Sequence, residues 1–196
     1  MTHLQSLTDL QLVKLYQEGN DSGLEALLLR HKQKIYSSIY FLTHNRELSE
    51  DLFQETFIKI ISSLRKGTYN EKGKFLSWAM MIAHNIVIDH FRMNKRMGVM
   101  VRENEEYSPF DIMPEGSLNG EQEIIKKEKH ERVRKLIEQI PFEQREVLIM
   151  RHYGDMSFKE ISDVLEINLN TCLGRMRYAL IKMRDIMSEK KVDLKD

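Results

Sequence analysis

The stretch SFKEISDVLEINLNTCLGRMRYALIKMRDIM, residues 157–187 of a 196-residue chain, decides how the rest is read. Ser157 to Leu165 has the pattern of a short amphipathic helix, Glu166 and Ile167 of a tight turn, and Asn168 to about Met187 of a longer helix. That is a helix-turn-helix. Ser157 and Glu160 make a capping box for the first helix, and Asn168 is a good N-cap for the second. In the longer helix Leu169, Cys172, Leu173, Met176, Leu180, Met183 and Met187 recur at helical spacing and are expected to form its buried face. The same geometry turns outward Asn170, Thr171, Gly174, Arg175, Tyr178 and Lys182, a polar and basic set gathered toward the amino-terminal half. A recognition helix meets base edges and phosphates with that half. By spacing alone a plain helical hairpin inside a bundle stays open as the lesser alternative.

Composition narrows the class. With 41% hydrophobic and 31% charged residues the chain has the make-up of a water-soluble helical protein of one large or two small domains. Its formal net charge is zero, so nucleic-acid binding would depend on local segregation of charge. Such segregation is present. Between Val99 and Glu123 seven acidic residues, Glu103, Glu105, Glu106, Asp111, Glu115, Glu121 and Glu123, face the single basic Arg102. From Arg175 to Lys191 the balance reverses, with Arg175, Arg177, Lys182, Arg184, Lys190 and Lys191 against Asp185 and Glu189. One cysteine, Cys172, excludes an internal disulfide and a cysteine-based zinc cluster, and it fits a reducing compartment. Met1 to Asp9 lacks the basic-then-apolar pattern of a leader, and eighteen apolar residues nowhere follow one another. A cytoplasmic protein is expected.

Nearly every other segment reads as helix. Thr8 to Glu18 ends at Gly19; Ser22, with Glu25 three residues on, opens a helix to about Leu42; Glu47 to Lys66 stops at Gly67; Lys74 to about Arg96 is the fourth. The pattern fails between Met97 and about Asn119, where Pro109, Pro114, Gly98 and Gly116 lie among acidic residues, and this segment reads as a tether. A helix from about Glu121 to Gln139 follows, Pro141 breaks it, and Glu143 to Tyr153 leads through Gly154 into the helix-turn-helix. The expected fold is therefore all-α, with two small helical domains at 1–96 and 121–196 joined by an acidic linker at 97–120.

The fourth helix carries a second pattern. Phe75, Ala79, Ile82, Ile86 and Met93 are expected to face a core. Beside them Trp78, Asn85, Arg92 and Arg96, with Lys95 adjoining, form another stripe. An indole, an amide and guanidiniums in a row suit unpaired bases and their phosphates, since stacking contributes roughly 1 to 3 kcal/mol per base. The bland reading is a buried Trp78 and a solvated helix end. The preceding loop, Gly67 to Gly73, contains Tyr69, Asn70 and Lys72 and could receive an extruded base.

Taken in order, these segments resemble a bacterial RNA polymerase sigma factor of the sigma-70 family, in its extracytoplasmic function (ECF) branch. The resemblance covers about 8–96 and 130–187. Glu50-Asp51-Leu52-Phe53-Gln54-Glu55-Thr56-Phe57 is similar to the family's region 2.2 signature, which implies docking on the clamp helices of the largest polymerase subunit. Asp51, Gln54 and Glu55 share one helix face. Phe75 to Arg96 is similar to the regions that melt and read the minus-ten element, implying that Asn85 and the preceding loop read a flipped base. Ile140-Pro141, Arg145-Glu146-Val147, Ser157-Phe158-Lys159-Glu160-Ile161 and Asn170-Thr171 with Arg175 resemble region 4, which reads the minus-thirty-five element and meets the polymerase flap.

Departures are specific. Glycine is common in the family's turn, and lysine and serine before the recognition-helix arginine; here Glu166, Leu173 and Gly174 stand there. Gly174, on the groove-facing side, is expected to permit closer approach to DNA. The resemblance also implies an anti-sigma factor, promoter DNA and core RNA polymerase as partners, no stable homo-oligomer, and a linker that follows the path of nascent RNA. No phosphate loop, paired metal-binding histidines or recognisable nucleophile supports an enzyme, a metal site or a cofactor. Two other classes stay open on the residues: a conventional helix-turn-helix regulator with a helical sensor or dimerisation domain, and a helical adaptor that binds polymerase without DNA.

Overall fold

The computed structural model describes residues 2–69, 73–97 and 132–189. Its helices are α1 (Thr2–Gln5), α2 (Asp9–Gln17), α3 (Asp21–Thr43), α4 (Arg46–Arg65), α5 (Phe75–Met97), α6 (helical residues 132–138), α7 (Phe142–His152), α8 (Phe158–Val164) and α9 (Leu169–Glu189). Among the described residues there is no strand.

Short polar side chains set the helix starts. Thr8 and Gln11 close a reciprocal capping box on α2, satisfying two amide groups that the first turn leaves without helical partners. Asn20 caps α3, its Oδ1 accepting from the Ser22 amide at 3.0 Å. The start expected at Ser22 therefore lies two residues upstream, because Asn20 reaches the free amide first. Asn45 caps α4 by accepting from the Leu48 amide at 3.0 Å, and His44 ends α3 in the left-handed region at φ 50°. Between them the Thr43 and Ser49 hydroxyls meet at 2.6 Å, which locks the elbow. Pro141 stands at the N-cap of α7, where its missing N–H costs nothing.

Helices α2 to α5 form a first lobe around Leu12, Leu27, Ile35, Ile39, Ile60, Phe75, Ala79, Met80, Ala83 and Val87, all buried. At Gly23 a β-carbon would stand 2.4 Å from the Leu12 carbonyl oxygen, so α2 and α3 touch backbone to backbone there. Helices α7, α8 and α9 form a second, smaller lobe around Val147, Ile149, Met150, Ile161, Cys172, Ala179 and Ile186.

Two expected core stripes are corrected. On α5, Met80, Ala83 and Val87 join Phe75 and Ala79 in the core, whereas Ile82 and Ile86 are only partly buried and Met93 is 52% exposed. The helix packs on α3 and α4 along one edge and extends past them at its carboxyl end. On α9 the buried line is Cys172, Ala179 and Ile186, with Met176 and Met183 half-buried; Leu169, Leu173 (43% exposed) and Leu180 face outward. Small side chains at Cys172 and Ala179 let α9 lie close on α7 and α8, and only a narrow stripe is covered.

The lobes are in contact. Phe41 of α3 packs on Tyr153 with ring centroids 5.5 Å apart, and Phe91 of α5 meets Phe142 edge-on at 6.0 Å. The Arg134 guanidinium donates to the Tyr40 hydroxyl at 3.0 Å. The tether expected at 97–120, beyond Met97, and the helix onset expected at Glu121 lie outside the described residues.

Candidate nucleic-acid and partner surfaces

Three surfaces carry the residues singled out in the sequence. The first is the outer face of α4. Leu52, Thr56, Ile60 and Leu64 bury the inner face, with Thr56 donating its hydroxyl back to the Leu52 carbonyl at 2.7 Å, so Asp51, Gln54 and Glu55 point outward. Ile58 shares that stripe and is 68% exposed. Its place, seven residues after Asp51 and three after Glu55, was a signal the sequence reading passed over. An exposed apolar side chain one turn from Gln54 and Glu55 suits a partner with a small apolar socket beside polar and basic groups.

The second surface is α5. Its carboxyl end presents Asn85, Arg92, Lys95 and Arg96 to solvent, with Arg92 loosely paired to Asp89 at 3.5 Å. Its amino end differs. Tyr69 is 7% exposed and lies on Trp78, ring centroids 4.3 Å apart, while Phe75 closes the group from the side. Trp78 is half-buried. The stripe is thus continuous on the helix but open only from Asn85 onward. Asn70 lies outside the described residues. Tyr69, Lys74, Trp78 and Met81 wall a cleft of about 420 Å³ whose other wall is Glu160 and Val164 of α8.

The third surface is the helix-turn-helix. Ser157 and Glu160 form the expected capping box, with the Ser157 amide donating to Glu160 at 2.8 Å and the Glu160 amide to the Ser157 hydroxyl at 3.2 Å. The Lys74 ammonium, then the Ser157 hydroxyl and amide, hold the Glu160 carboxyl down at about 2. Glu166 occupies the turn at φ 53°, a left-handed conformation that costs an ordinary residue about 1 kcal/mol or more. Asn168 caps α9, its Oδ1 accepting from the Asn170 amide at 2.7 Å. Asn170, Thr171 and Tyr178 are exposed, and a β-carbon at Gly174 would meet nothing within 4 Å.

Arg175 is the exception on that face. Its guanidinium donates to Glu146 Oε1 at 2.9 Å, and the other oxygen of the same buried carboxylate stands 3.3 Å from His84 Nε2. Glu146 thus joins α7 to α9 inside the second lobe and to α5 in the first. A residue read from sequence as a DNA contact has a structural partner, and the quoted Arg145-Glu146-Val147 motif contained that partner. Burial raises the pKa of the Cys172 thiol, which makes it a core group rather than a reactive one. Among the described residues no three His, Cys, Asp or Glu side chains gather as for a metal ion, and no helix is long and apolar enough to cross a membrane.

Comparison with known proteins returns both halves of the chain. Residues 27–97 match the family model for Sigma-70 region 2, and residues 130–183 match that for Sigma-70, region 4. The RNA polymerase sigma-H factor of Pseudomonas aeruginosa is 26% identical over 171 residues, covering 86% of this chain and 88% of its own. The ECF RNA polymerase sigma factor SigW of Bacillus subtilis is 25% identical, covering 89% and 96%. Among solved structures, the sigma factor RpoE of Bartonella quintana, in complex with the anti-sigma factor NepR, superposes with a TM-score of 0.65 at 16% identity, covering 84% of this chain and 96% of that one. CnrH, in complex with the cytosolic domain of CnrY, superposes with a TM-score of 0.61 at 18% identity, covering 92% and 97%.

Proposed function

We propose, from the premise that the chain belongs to the sigma-70 family of RNA polymerase sigma factors and is an ECF-type, promoter-directing transcription initiation factor, a division of labour among its three surfaces. Asp51, Gln54 and Glu55, with Ile58 at the end of the same stripe, dock the chain on the clamp helices of the largest core polymerase subunit. Trp78, Asn85, Arg92, Lys95 and Arg96, with the loop containing Tyr69 and Asn70, engage the melted non-template strand of the minus-ten element. Asn170, Thr171 and Tyr178, with the open backbone at Gly174, enter the major groove of the minus-thirty-five element, and the second lobe also meets the flap. Arg175 orients α9 through Glu146 and reaches DNA only secondarily. Residues 1–96 and 121–196 act as the two promoter-binding domains and 97–120 as their tether. An anti-sigma factor is a further partner.

The observation that carries this division is the segregation of exposed side chains. Asp51 and Glu55 share the exposed face of α4 with one apolar side chain, Ile58, while amide and cationic groups occupy the far end of α5. The first pattern repels nucleic acid and fits a basic protein surface; the second attracts phosphate. Two tethered modules on one promoter each raise the other's effective concentration, so each contact surface can stay small.

Run-off transcription with core polymerase from the same source, on sheared genomic DNA with transcript starts sequenced, tests the reading. New starts sharing two spaced upstream elements are expected only when the protein is present. Absence of new starts, together with tight duplex binding by the chain alone, would instead identify a conventional helix-turn-helix regulator.

A further inference from the structure

Behind the aromatic rings of α5 stands a pair of side chains that none of the three surfaces uses. Phe75, 1% exposed, has its ring centroid 6.0 Å from that of Tyr69 and 5.7 Å from that of Trp78, so it supports both. It also meets the buried His31 ring of α3, with centroids 5.6 Å apart and planes inclined by 37°. His31 Nε2 lies 2.8 Å from Asp9 Oδ2 in the first turn of α2, and the other Asp9 oxygen accepts from Arg30 at 2.7 Å. Arg30 also donates to the Leu7 carbonyl at 2.8 Å, which ties the start of α2 to α3. A line of contacts therefore runs from Asp9 through His31 and Phe75 to Trp78.

The choice of an imidazole at this point needs a reason. An ionised carboxylate only accepts, so Nε2 carries the proton and Nδ1 keeps a bare lone pair. That Nδ1 is buried and has no hydrogen-bond partner among the described residues. An unpaired buried polar atom is unfavourable, and a leucine or phenylalanine would fill the site without one. What the imidazole adds is direction. Its bond to Asp9 fixes the ring, whereas an apolar side chain held by packing alone has no such anchor.

Resting on the proposed role of Trp78 in strand capture, we infer that Asp9 and His31 are positioning residues for the minus-ten strand: the imidazole, aimed by the carboxylate, sets Phe75 and through it the Tyr69–Trp78 stack that receives an unpaired base. The arrangement works with a neutral ring. A second proton would go to Nδ1, where no acceptor stands, and would place a charge against the Phe75 ring. The charged groups facing His31 are Asp9 from α2 and Arg30 and Lys34 on its own helix; α5 meets it with Phe75. Burial pushes the imidazole below the ordinary histidine value of 6.5, with Asp9 pulling the other way and the two cations adding to the push. The aligned state is therefore complete above 6.5 and lost as pH falls through the lower folded value.

Trp78 is the only tryptophan in the chain, so its fluorescence reports on the cleft alone. Acid titration of the full-length protein is expected to change Trp78 emission with a midpoint below 6.5. His31→Gln keeps a donor for Asp9 and gains no proton in that range, so it is expected to abolish the transition. Lys74, Glu160 and Asp163 at the cleft remain in place in that variant. The second arm uses the holoenzyme assembled with core polymerase on a promoter mapped by run-off transcription, with 2-aminopurine in the minus-ten element to follow strand opening. His31→Leu is expected to open the element about fivefold more slowly, a partial loss of one stacking contact, while core affinity stays within about twofold. His31→Gln is expected to recover roughly half or more of the wild-type rate at neutral pH and to lose the acid-side decline. Absence of the emission change from the wild type, its survival in His31→Gln, wild-type opening by His31→Leu, or a His31→Gln no better than His31→Leu overturns the inference. Parallel loss of opening and core binding marks plain unfolding and overturns it too. The functional reading fails separately: a wild-type protein that opens no promoter refutes it, while the emission arm still decides whether His31 sets Trp78.

Discussion

Arg175→Ala separates a structural from a DNA-reading arginine. Glu146 is buried, with 8% of its side chain exposed, while Arg175 keeps 25% of its own. Removing Arg175 strands a buried carboxylate with only His84 beside it, a situation that costs about 3 kcal/mol. Glu146→Gln is milder, because the amide oxygen still accepts from the guanidinium and a quarter-exposed arginine can turn to water; about 1 kcal/mol is expected. In the double variant neither charge is stranded, so its cost is about 2 kcal/mol. The coupling energy is then about 2 kcal/mol, well outside the additivity of independent sites. Urea unfolding of the four proteins, followed by circular dichroism, measures all terms. Arg175→Ala is expected to lose more than Glu146→Gln, with a fall in melting temperature of about 6 to 12 °C if the lobes unfold together. Additive single effects, or a loss below about 0.5 kcal/mol for Arg175→Ala, would refute the reasoning and return Arg175 to the DNA-reading set.

Glu166→Gly removes the side-chain penalty of the left-handed turn but adds backbone entropy to the unfolded chain, for a net gain of about 0.5 kcal/mol by thermal melting. Gly174→Ala meets open space and should stabilise α9 by about 0.5 to 1 kcal/mol while changing the sequences preferred at the minus-thirty-five position, read by transcription from a randomised promoter library; an unchanged profile would remove Gly174 from the reading set. Glu160 releases its proton more readily folded, at about 2, than unfolded, near 4.5. Its contribution to stability is therefore complete above about 4.5 and lost as pH falls toward 2; Glu160→Gln should flatten that limb of an acid titration. Ile58→Asp should weaken core polymerase binding at least tenfold in a pull-down titration while leaving the melting temperature within about 2 °C, since the side chain touches little in the free chain.

Local signals were the legible ones. Ser157 and Glu160, or Asn168 and Asn170, act across three residues or fewer, so the cap and its sequence pattern are the same fact. The start expected at Ser22 failed because two good caps competed there, at Asn20 and Ser22, and the one-turn helix α1 (Thr2–Gln5), too short to show a period, was not read at all. Burial of α9 was harder to read, because its two adjacent apolar lines differ only in which one α7 touches. Periodicity cannot choose between Leu169–Leu173–Leu180 and Cys172–Ala179–Ile186; the small residues of the second line decide it through close packing. The contact between the lobes was out of reach for a different reason. Lys34 and Asp155, which pair across it, are 121 residues apart, and neither carries a local pattern that names the other.

Helix α5 also works as a ruler. It is 23 residues long, about 34 Å, and no proline interrupts it. Trp78, Asn85 and Arg92 stand seven residues apart, so each interval is about 10 Å, close to the rise of three stacked nucleotides. A strand laid along it would be measured as well as held, with graduations at a ring, an amide and a guanidinium. Inserting one residue between Ile88 and Asp89 would move the last mark by only about 1.5 Å but rotate it by about 100° onto another face. Calibration of this kind resides in the phase of the helix rather than in its length.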